Sequence, residues 1–305
     1  MALEVFEWFG FRADDQSQEA ASTADAGICP FVERSCVKSN HTCSLKQLSG
    51  EIVPVCPVRL YFEGHRILRE IAAEAFEDFG PNVGPDGLPT LVPGDLVEMT
   101  AVATGNVQVG VFGKGGWAKE VQLPAAAEGG ARYSVDYTIV AFAPDVGLLA
   151  FVAVEVQTID TTGSYASSVH AAATERRAVV SPKAGFNWEN VSKRILPQLI
   201  TKGLTLQGER LCQNGMYFVT PESVFQRIMM RVGGQDRFRQ IPKQPGSITF
   251  IRTKINSSAP MDGELAPVER LADFTVSTSD LSLAFITPQN LAPPGSYEAA
   301  IRRNL

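Results

Sequence analysis

The sequence contains no run of about 18 apolar residues, the length that a helix needs to cross a membrane, so no membrane-spanning helix is expected. Its start, MALEVFEWFGFRADD, has no basic stretch followed by an apolar one. No secretory signal is therefore expected, and the expected location is the cytoplasm. Charged residues make up 20% and hydrophobic residues 45%, a globular composition that excludes disorder throughout. With 305 residues, we expect two domains or one large domain with an attachment.

The short motifs of several enzyme classes are also missing. There is no G-x-S-x-G, no H-E-x-x-H and no G-x-G-x-x-G ahead of a helix. The run GVFGKGGW at 110–117 resembles a phosphate-binding loop, but neither Ser nor Thr follows its lysine, which excludes that class. The three histidines are scattered over positions 41, 65 and 170, so they give no support to a Ser/His hydrolase.

The net charge of −6 argues against a nucleic-acid partner, but its distribution along the chain does not. Residues 1–100 carry 7 basic and 16 acidic side chains, a net charge of −9. Residues 101–175 carry 3 and 7 (net −4), and residues 176–305 carry 17 and 10 (net +7). A basic second half predicts a polyanion partner for one face of the protein, although a solvated basic surface is the alternative.

Hydrophobic periodicity predicts an α/β or α+β fold, with strands followed by helices behind a cysteine-rich front. The amphipathic start is consistent with a short helix, a helix is expected over 63–80, and turn residues predict a loop over 82–95. Strands are predicted at 96–103, 107–113, 118–124, 133–142, 148–159 and 247–255. Helices are predicted at 164–179, 187–204 and 221–232.

Four of the five cysteines, Cys29, Cys36, Cys43 and Cys56, fall within 28 residues, whereas Cys212 is distant. In a reducing compartment such a cluster favours a metal over disulfides. Four thiolates suit tetrahedral zinc or iron, and an iron–sulfur cluster is also possible. The spacing is not CxxC…CxxC, so buried structural thiols are the alternative. His41 lies inside the cluster and is either a substitute ligand or a surface residue.

The stretch from Tyr133 to Gln157 predicts a β-hairpin whose turn is Pro-Asp-Val-Gly at 144–147. If the turn is centred between residues 145 and 146, Asp136 lies directly opposite Glu155, with Cβ atoms roughly 5 Å apart. Gln157 shares the face of Glu155. The other face of the second strand is entirely apolar and must pack on a core; it consists of Ala150, Val152, Val154 and Val156.

Two carboxylates placed opposite each other destabilise a hairpin unless a cation lies between them. Two carboxylates and an amide oxygen are hard ligands, suited to Mg²⁺ or Mn²⁺. Such a metal activates water and stabilises charge on a phosphate. The alternative is that Glu155 and Gln157 line a solvated face. The three tryptophans are expected in the core rather than as base-stacking groups.

Several segments resemble the NotI-type type II restriction endonucleases, in the order that this family has. CPFVERSCVK, Cys43 and VCPVR resemble the family's iron-binding module, and EVQTIDTTGSYASSV resembles its E-x-Q-T-x-D-x-x-G-S-Y segment. NWENVSKRILPQL resembles its helix with N-x-x-K-R, and FEWFGFR resembles its start. Together these segments cover roughly residues 4–230.

The resemblance implies the PD-(D/E)XK nuclease fold, a mixed sheet flanked by helices, with a small four-cysteine metal-binding module in residues 1–62 and a nuclease domain in 63–305. It implies that Asp136 and Glu155 bind Mg²⁺, that Gln157 replaces the usual lysine, and that Glu120 is a further acid. It implies iron on the four clustered cysteines, although zinc fits the same ligands.

The implied function is Mg²⁺-dependent cleavage of double-stranded DNA at a GC-rich palindrome containing GGCC, by a homodimer with no membrane partner. Lys193, Arg194, Arg176 and Arg177 are the expected DNA contacts. Two alternatives stay open: a nuclease-fold protein that binds DNA without cutting it, and a thiolate-cluster redox protein.

Overall fold

The computed structural model describes residues 3–123, 132–162, 185–256, 260–288 and 291–305, and within them it mixes helices and strands. Its strands are β1 Glu4–Trp8, β2 Phe11–Arg12, β3 Ile28–Cys29, β4 Arg34–Ser35, β5 Thr42–Lys46, β6 Ile52–Pro54, β7 Leu91–Pro93, β8 Gln108–Gly113, β9 Gln122–Leu123, β10 Tyr133–Ser134, β11 Tyr137–Ala143, β12 Gly147–Val156, β13 Thr161–Thr162, β14 Gly185–Phe186, β15 Met216–Pro221, β16 Ser247–Ile255, β17 Val268–Arg270 and β18 Phe274–Ser277. Its helices are α1 Gln18–Ala26, α2 Phe62–Ala75, α3 Val97–Thr104, α4 Leu196–Leu206, α5 Glu222–Arg231, α6 Thr278–Ile286 and α7 Ser296–Arg303.

A large mixed sheet forms the centre of the fold, with the order β17-β16-β15-β12-β11-β8-β7 and with β18 also paired to β16. The pairs β12–β15, β15–β16 and β7–β8 are parallel. The pairs β11–β12, β8–β11, β16–β17 and β16–β18 are antiparallel. The predicted α/β class, a mixed sheet flanked by helices, is therefore confirmed.

Helices cover both faces of this sheet, because successive residues of its central strand alternate between two apolar layers. The predicted apolar face of β12, which includes Val152 and Val154, is buried in one cluster with α2. Ala153 faces the other layer, where it packs with Leu196 and Leu199 of α4. The position of Glu155, two residues after Ala153, therefore falls on the face that α4 covers.

A second, four-stranded sheet, in the order β2-β1-β5-β6, is formed by the N-terminal region. Its apolar residues, including Val5 and Leu45, belong to the same core cluster as α4 and β15. Glu7 and Arg59 form a fully buried ion pair in this region, with Arg59 Nη2 2.8 Å from Glu7 Oε1. Arg59 also donates a hydrogen bond to the carbonyl oxygen of Ala266, which joins the N-terminal region to the C-terminal part of the chain.

Two predicted elements were wrong. The start of the chain is the strand β1 rather than a helix, because it pairs with both β2 and β5. The strand expected over 96–103 is the helix α3, whose buried residues Val97 and Ala101 lie four positions apart. Met99 and Val102 of this helix are largely exposed, so its apolar residues do not alternate between two faces as a strand requires.

The other predicted elements fall into three groups. The helices over 63–80, 187–204 and 221–232 and the strands over 107–113 and 247–255 are confirmed to within a few residues, and the expected strand over 118–124 is reduced to the two residues of β9. The helix predicted over 164–179 lies outside the described residues. Within the part of the chain that the structure describes, no helix is long and apolar enough to span a membrane.

Candidate active site

The hairpin β11–β12 has the predicted register over most of its length. Tyr137 lies opposite Val154 and Thr138 opposite Ala153, and a bulge beyond Ala141 shifts the pairing near the turn. The pairing ends at Tyr137 and Val154, and Asp136 lies in a bend just before β11. The predicted register is confirmed within the two strands, while the direct pairing of Asp136 with Glu155, one step further along, stays a prediction.

Asp136 is held in place by both strands of the hairpin and by a loop lysine. Its Oδ2 accepts a hydrogen bond from the backbone N–H of Val156 at 3.0 Å. Its Oδ1 accepts one from Lys114 Nζ, also at 3.0 Å. Lys114 Nζ lies 3.8 Å from Glu120 Oε1 as well. The carboxylate of Asp136 raises the pKa of Lys114, which keeps that ammonium charged.

Lys114 belongs to the glycine-rich run at 110–117, whose geometry explains why it reaches Asp136. Gly113 has φ +152°, and a Cβ atom there would lie 2.3 Å from the carbonyl oxygen of Asp136. Only glycine permits this close approach of the loop to the hairpin. The glycine-rich run at 110–117, which resembles a phosphate-binding loop, therefore places Lys114 in the candidate site.

Glu155 lies on the buried side of the same site, with a side chain that is 14% exposed. Its Oε1 accepts a hydrogen bond from Lys202 Nζ, which comes from α4. Burial raises the pKa of Glu155 to about 7, and the charge of Asp136 adds to the rise, while Lys202 opposes it. The two acids thus have different surroundings: Asp136 accepts hydrogen bonds from Lys114 and from the Val156 N–H, whereas Glu155 is largely removed from water.

Gln157 and Glu120 complete the set of predicted acidic-site residues. The Nε2 of Gln157 donates to the carbonyl oxygen of Thr158 at 2.9 Å, and its backbone N–H donates to the carbonyl oxygen of Val219 at 3.0 Å. Because the amide nitrogen is bonded to the main chain, the amide oxygen is the atom that Gln157 can offer to a cation. Glu120 is connected to the site by its contact with Lys114, whose ammonium group also contacts Asp136.

Two residues of this site, Lys114 and Lys202, were not among the sequence-based candidates. Each forms a contact with a carboxylate that is far away in sequence, at separations of 22 and 47 positions. The only sequence signal was indirect, because Lys114 lies in the glycine run and Lys202 in the basic second half.

The four clustered cysteines line one small cavity of about 20 Å³, together with His41. Cys29, Cys43 and Cys56 are buried and Cys36 is partly exposed, and none of the five cysteines is in a disulfide. Burial raises the pKa of the Cys29, Cys43 and Cys56 thiols. Among the described residues, however, no three His, Cys, Asp or Glu side chains converge in a metal-binding arrangement.

The expected DNA contacts Lys193 and Arg194 lie on the exposed side of the helical turn Val191–Ile195, and both are paired with acids. Lys193 Nζ is 2.5 Å from Glu189 Oε2, and Arg194 Nη2 is 2.9 Å from Asp160 Oδ2. Asp160 follows Gln157 by three residues, so Arg194 lies next to the segment that leaves the hairpin. Arg176 and Arg177, the other two expected contacts, lie outside the described residues.

A cleft of about 740 Å³ opens beside this turn, between the β13–β14 ribbon and α5. The guanidinium of Arg227 lies 5.5 Å from the centre of the Trp188 ring, and Arg231 lies 5.2 Å from that of Phe285. Trp188 is therefore only partly a core residue, as its ring also lines the cleft. The remaining described residues of the lining are Thr162, Phe186, Asn187, Glu189, Ser192 and Met230.

Comparison with known proteins adds no identification. No protein-family model matches the chain, and a search of curated proteins finds no significant relative. The assignment of a function therefore depends on the residues and their geometry.

Proposed function

We propose that this protein is a type II restriction endonuclease of the PD-(D/E)XK class, which makes Mg²⁺-dependent double-strand breaks in DNA at a specific site. The observation that carries the proposal is the hairpin of the mixed sheet, at whose open end Asp136 accepts a hydrogen bond from the N–H of Val156, the residue between Glu155 and Gln157. This is the E-x-Q form of the acidic hairpin that the sequence resemblance implies.

The donor set consists of oxygen ligands of the kind that a hard divalent cation accepts, although among the described residues Asp136, Glu155 and Glu120 do not converge in a metal-binding arrangement. Lys114 Nζ lies against the oxygens of Asp136 and Glu120, so the acidic groups already enclose a positive charge that the chain itself contributes. Asp136 and Glu155 would hold Mg²⁺, with Glu120 as a further acid and the amide oxygen of Gln157 as a neutral ligand. When bound, Mg²⁺ supplies an activated water and positive charge at the scissile phosphate.

The chain's own residues have separate tasks in this reaction. The Val156 N–H fixes the orientation of Asp136. Gln157 does not titrate in the accessible pH range, so it orients groups and does not accept a proton. Lys114, on its exposed glycine loop, would be free to exchange its contact with Asp136 for one with a DNA phosphate in a complex in which Asp136 holds a cation.

The surface beside the hairpin supports a nucleic-acid partner. The cleft next to the Val191–Ile195 turn combines Arg227 and Arg231 with the aromatic ring of Trp188. Their contacts among the described residues are with aromatic rings and the Met230 sulfur, rather than with carboxylates. Arginines that are not neutralised by acids suit a phosphate backbone, and an aromatic ring suits a base or sugar. Lys193 and Arg194 would extend this basic surface toward the hairpin.

The N-terminal cysteines are proposed to hold a structural iron ion, with zinc as the chemical alternative. Cys29, Cys36, Cys43 and Cys56 line one cavity, and four thiols are a donor set that these metals accept. Bound metal would cross-link the β3–β4 pair, where Cys29 lies in β3 and Cys36 follows β4, to the β5–β6 pair, where Cys43 lies in β5 and Cys56 follows β6. We propose that the protein acts in the reducing cytoplasm, where clustered thiols bind metals rather than forming disulfides.

A palindromic target would require a two-fold homodimer, because the symmetry of such a protein matches that of its site. The proposed target is a GC-rich palindrome that contains GGCC. Both points rest on the resemblance to the NotI-type enzymes. The bases that each arginine or lysine contacts depend on the geometry of the complex.

The test is to digest genomic DNA with the purified protein and Mg²⁺, and to sequence the termini of the products. The proposal predicts that all termini derive from one short palindrome. Termini with no common sequence would contradict site specificity. The alternative function, a DNA-binding protein that does not cut, is favoured by the lysine contacts on both carboxylates. It predicts no new termini together with salt-sensitive DNA binding in Ca²⁺.

A further inference from the structure

In PD-(D/E)XK enzymes a lysine occupies the position that Gln157 has in this protein. The site nevertheless contains a buried ammonium group from another part of the chain. Lys202 of α4, the helix that covers the face of the sheet on which Glu155 lies, reaches into the site, and its Nζ contacts Oε1 of Glu155. The side chain of Lys202 is only 8% exposed. Lysine is rarely buried to this extent, because removing its charge from water is costly.

The position of Lys202 is fixed by the packing of its helix. Leu199 and Leu206 of α4 are buried in the core, so the helix lies flat on the sheet. Gly203, the residue after Lys202, is so close to α6 that a Cβ atom at position 203 would lie 2.7 Å from Thr278 Oγ1. This contact leaves no room for the helix to move toward α6. The packing thus fixes the backbone of Lys202, and the contact with Glu155 and the burial of the side chain hold its ammonium group in the site.

A purely structural role for this pair is a poor explanation of its location. A buried ion pair contributes little to stability compared with apolar residues of similar size, because both charges lose their hydration. Lys114, the other lysine of the site, has a side chain that is 64% exposed on a glycine loop, so it can leave when a cation or DNA arrives. Lys202 has no such freedom.

We propose that Lys202 supplies the ammonium group that position 157 lacks. In the bound complex it keeps its contact with Glu155 and donates a second hydrogen bond to a non-bridging oxygen of the scissile phosphate. The oxygen of water forms a bond to phosphorus, and the bond from phosphorus to the 3′ oxygen breaks. One proton of the water passes to solvent and the 3′ oxygen takes one from solvent, while Lys202 keeps its protons throughout. Lys202 is then a catalytic residue of the proposed nuclease, and this inference rests on that proposed function.

The experiment compares Lys202→Met, Lys202→Gln and Lys202→Arg with the wild type. The matched control is Lys243→Met, which removes a partly buried lysine from an ion pair with Glu74 elsewhere in the protein. Single-turnover cleavage of a target plasmid is measured over a range of Mg²⁺ concentrations. DNA binding in Ca²⁺ and Ca²⁺ binding by calorimetry without DNA are measured on the same proteins. Thermal unfolding establishes a temperature at which every variant is folded.

Loss of one transition-state donor should lower the cleavage rate of Lys202→Met and Lys202→Gln about 100-fold at saturating Mg²⁺. Lys202→Arg should recover part of that loss, and Lys243→Met should cut at the wild-type rate. Ca²⁺ should bind to Lys202→Met at least as tightly as to the wild type, because a competing positive charge at Glu155 is gone.

Three results would overturn the assignment. Lys202→Met or Lys202→Gln could cut within about threefold of the wild-type rate, which would make the contact a simple ion pair. Ca²⁺ binding could be lost in Lys202→Met, which would show that Lys202 maintains the structure of the metal site and has no direct role in catalysis. A wild-type protein that binds DNA and Ca²⁺ but does not cut would refute the proposed nuclease and, with it, a catalytic Lys202, whereas the first two results leave the nuclease standing.

Discussion

The carboxylate of Asp136 accepts a hydrogen bond from the backbone N–H of Val156 at 3.0 Å. Val156 lies between Glu155 and Gln157, so this single bond ties the first acid to the strand that carries the other two site residues. Burial raises the pKa of the neighbouring Glu155 to about 7.

The raised pKa of Glu155 predicts a pH-dependent stability in EDTA. Its pKa is about 7 in the folded protein, against 4.5 for an ordinary glutamate. Between these values the folded protein binds the proton more tightly than the unfolded chain does. Stability should therefore fall as pH rises from about 4.5 through about 7, by up to about 3 kcal/mol in total from this group.

Glu155→Gln isolates that contribution, because the other groups titrate in both proteins. Urea unfolding at several pH values between 5 and 8 should show the variant gaining stability relative to the wild type as pH rises. The same difference in unfolding free energy at every pH would contradict the burial of an acid at position 155.

The hairpin was predictable because its register depends on local features, a turn at 144–147 and one apolar strand face. The two lysines were not predictable, because Lys202 reaches Glu155 only through the packing of α4 on the sheet. The helix α3 was mistaken for a strand, since its exposed Met99 and Val102 resemble core residues in a sequence. The residues that line the cleft were not predictable either, because they also come together only through tertiary packing. Trp188 and Arg227 meet only after α5 packs beside the Val191–Ile195 turn.

DNA binding should depend on the cleft beside α5. Arg227→Ala should weaken binding in Ca²⁺ and reduce the slope of log affinity against log salt by about one unit, since one phosphate contact is lost. Arg66→Ala is the matched control, because Arg66 is an exposed arginine on α2 that pairs with Glu63 and Glu70. Fluorescence anisotropy with a labelled duplex measures both slopes. Equal slopes for Arg227→Ala and the wild type would place the cleft outside the DNA interface.

Removing one member of the buried ion pair of Glu7 and Arg59 should be strongly destabilising. Both side chains are 0% exposed, and Ser44 Oγ also donates to Glu7 at 2.7 Å. Arg59→Met leaves an unpaired buried carboxylate and should lower the free energy of unfolding by about 3 to 5 kcal/mol.

The double variant Glu7→Gln with Arg59→Met should lose less, because no uncompensated charge remains. Urea unfolding of the wild type, the single variant and the double variant provides the comparison. A double variant less stable than Arg59→Met would show that charge pairing is not what Arg59 contributes.

The cysteine module should contain about one iron or zinc ion per chain, as expected for a four-thiolate structural site. Cys43→Ser should lose the metal and unfold at a lower temperature, because metal binding at such a site contributes to folding free energy. Cys212→Ala is the control, since Cys212 is equally buried but distant in sequence from the cluster, and it should keep the metal. Elemental analysis and thermal unfolding measure both effects. A stable wild-type protein without metal would refute the site.

Cleavage of supercoiled plasmid DNA that contains the target, by wild-type protein with Mg²⁺ or EDTA, tests the central claim most directly. The account predicts linear product with Mg²⁺ and none with EDTA. Asp136→Ala and Glu155→Ala should each reduce the rate by several orders of magnitude while remaining folded, because the metal loses a ligand. Asp145→Ala, which changes an exposed acid at the turn of the same hairpin, should cut normally. Near-normal cutting by folded Asp136→Ala or Glu155→Ala, or cutting by the wild type in EDTA, would contradict the account.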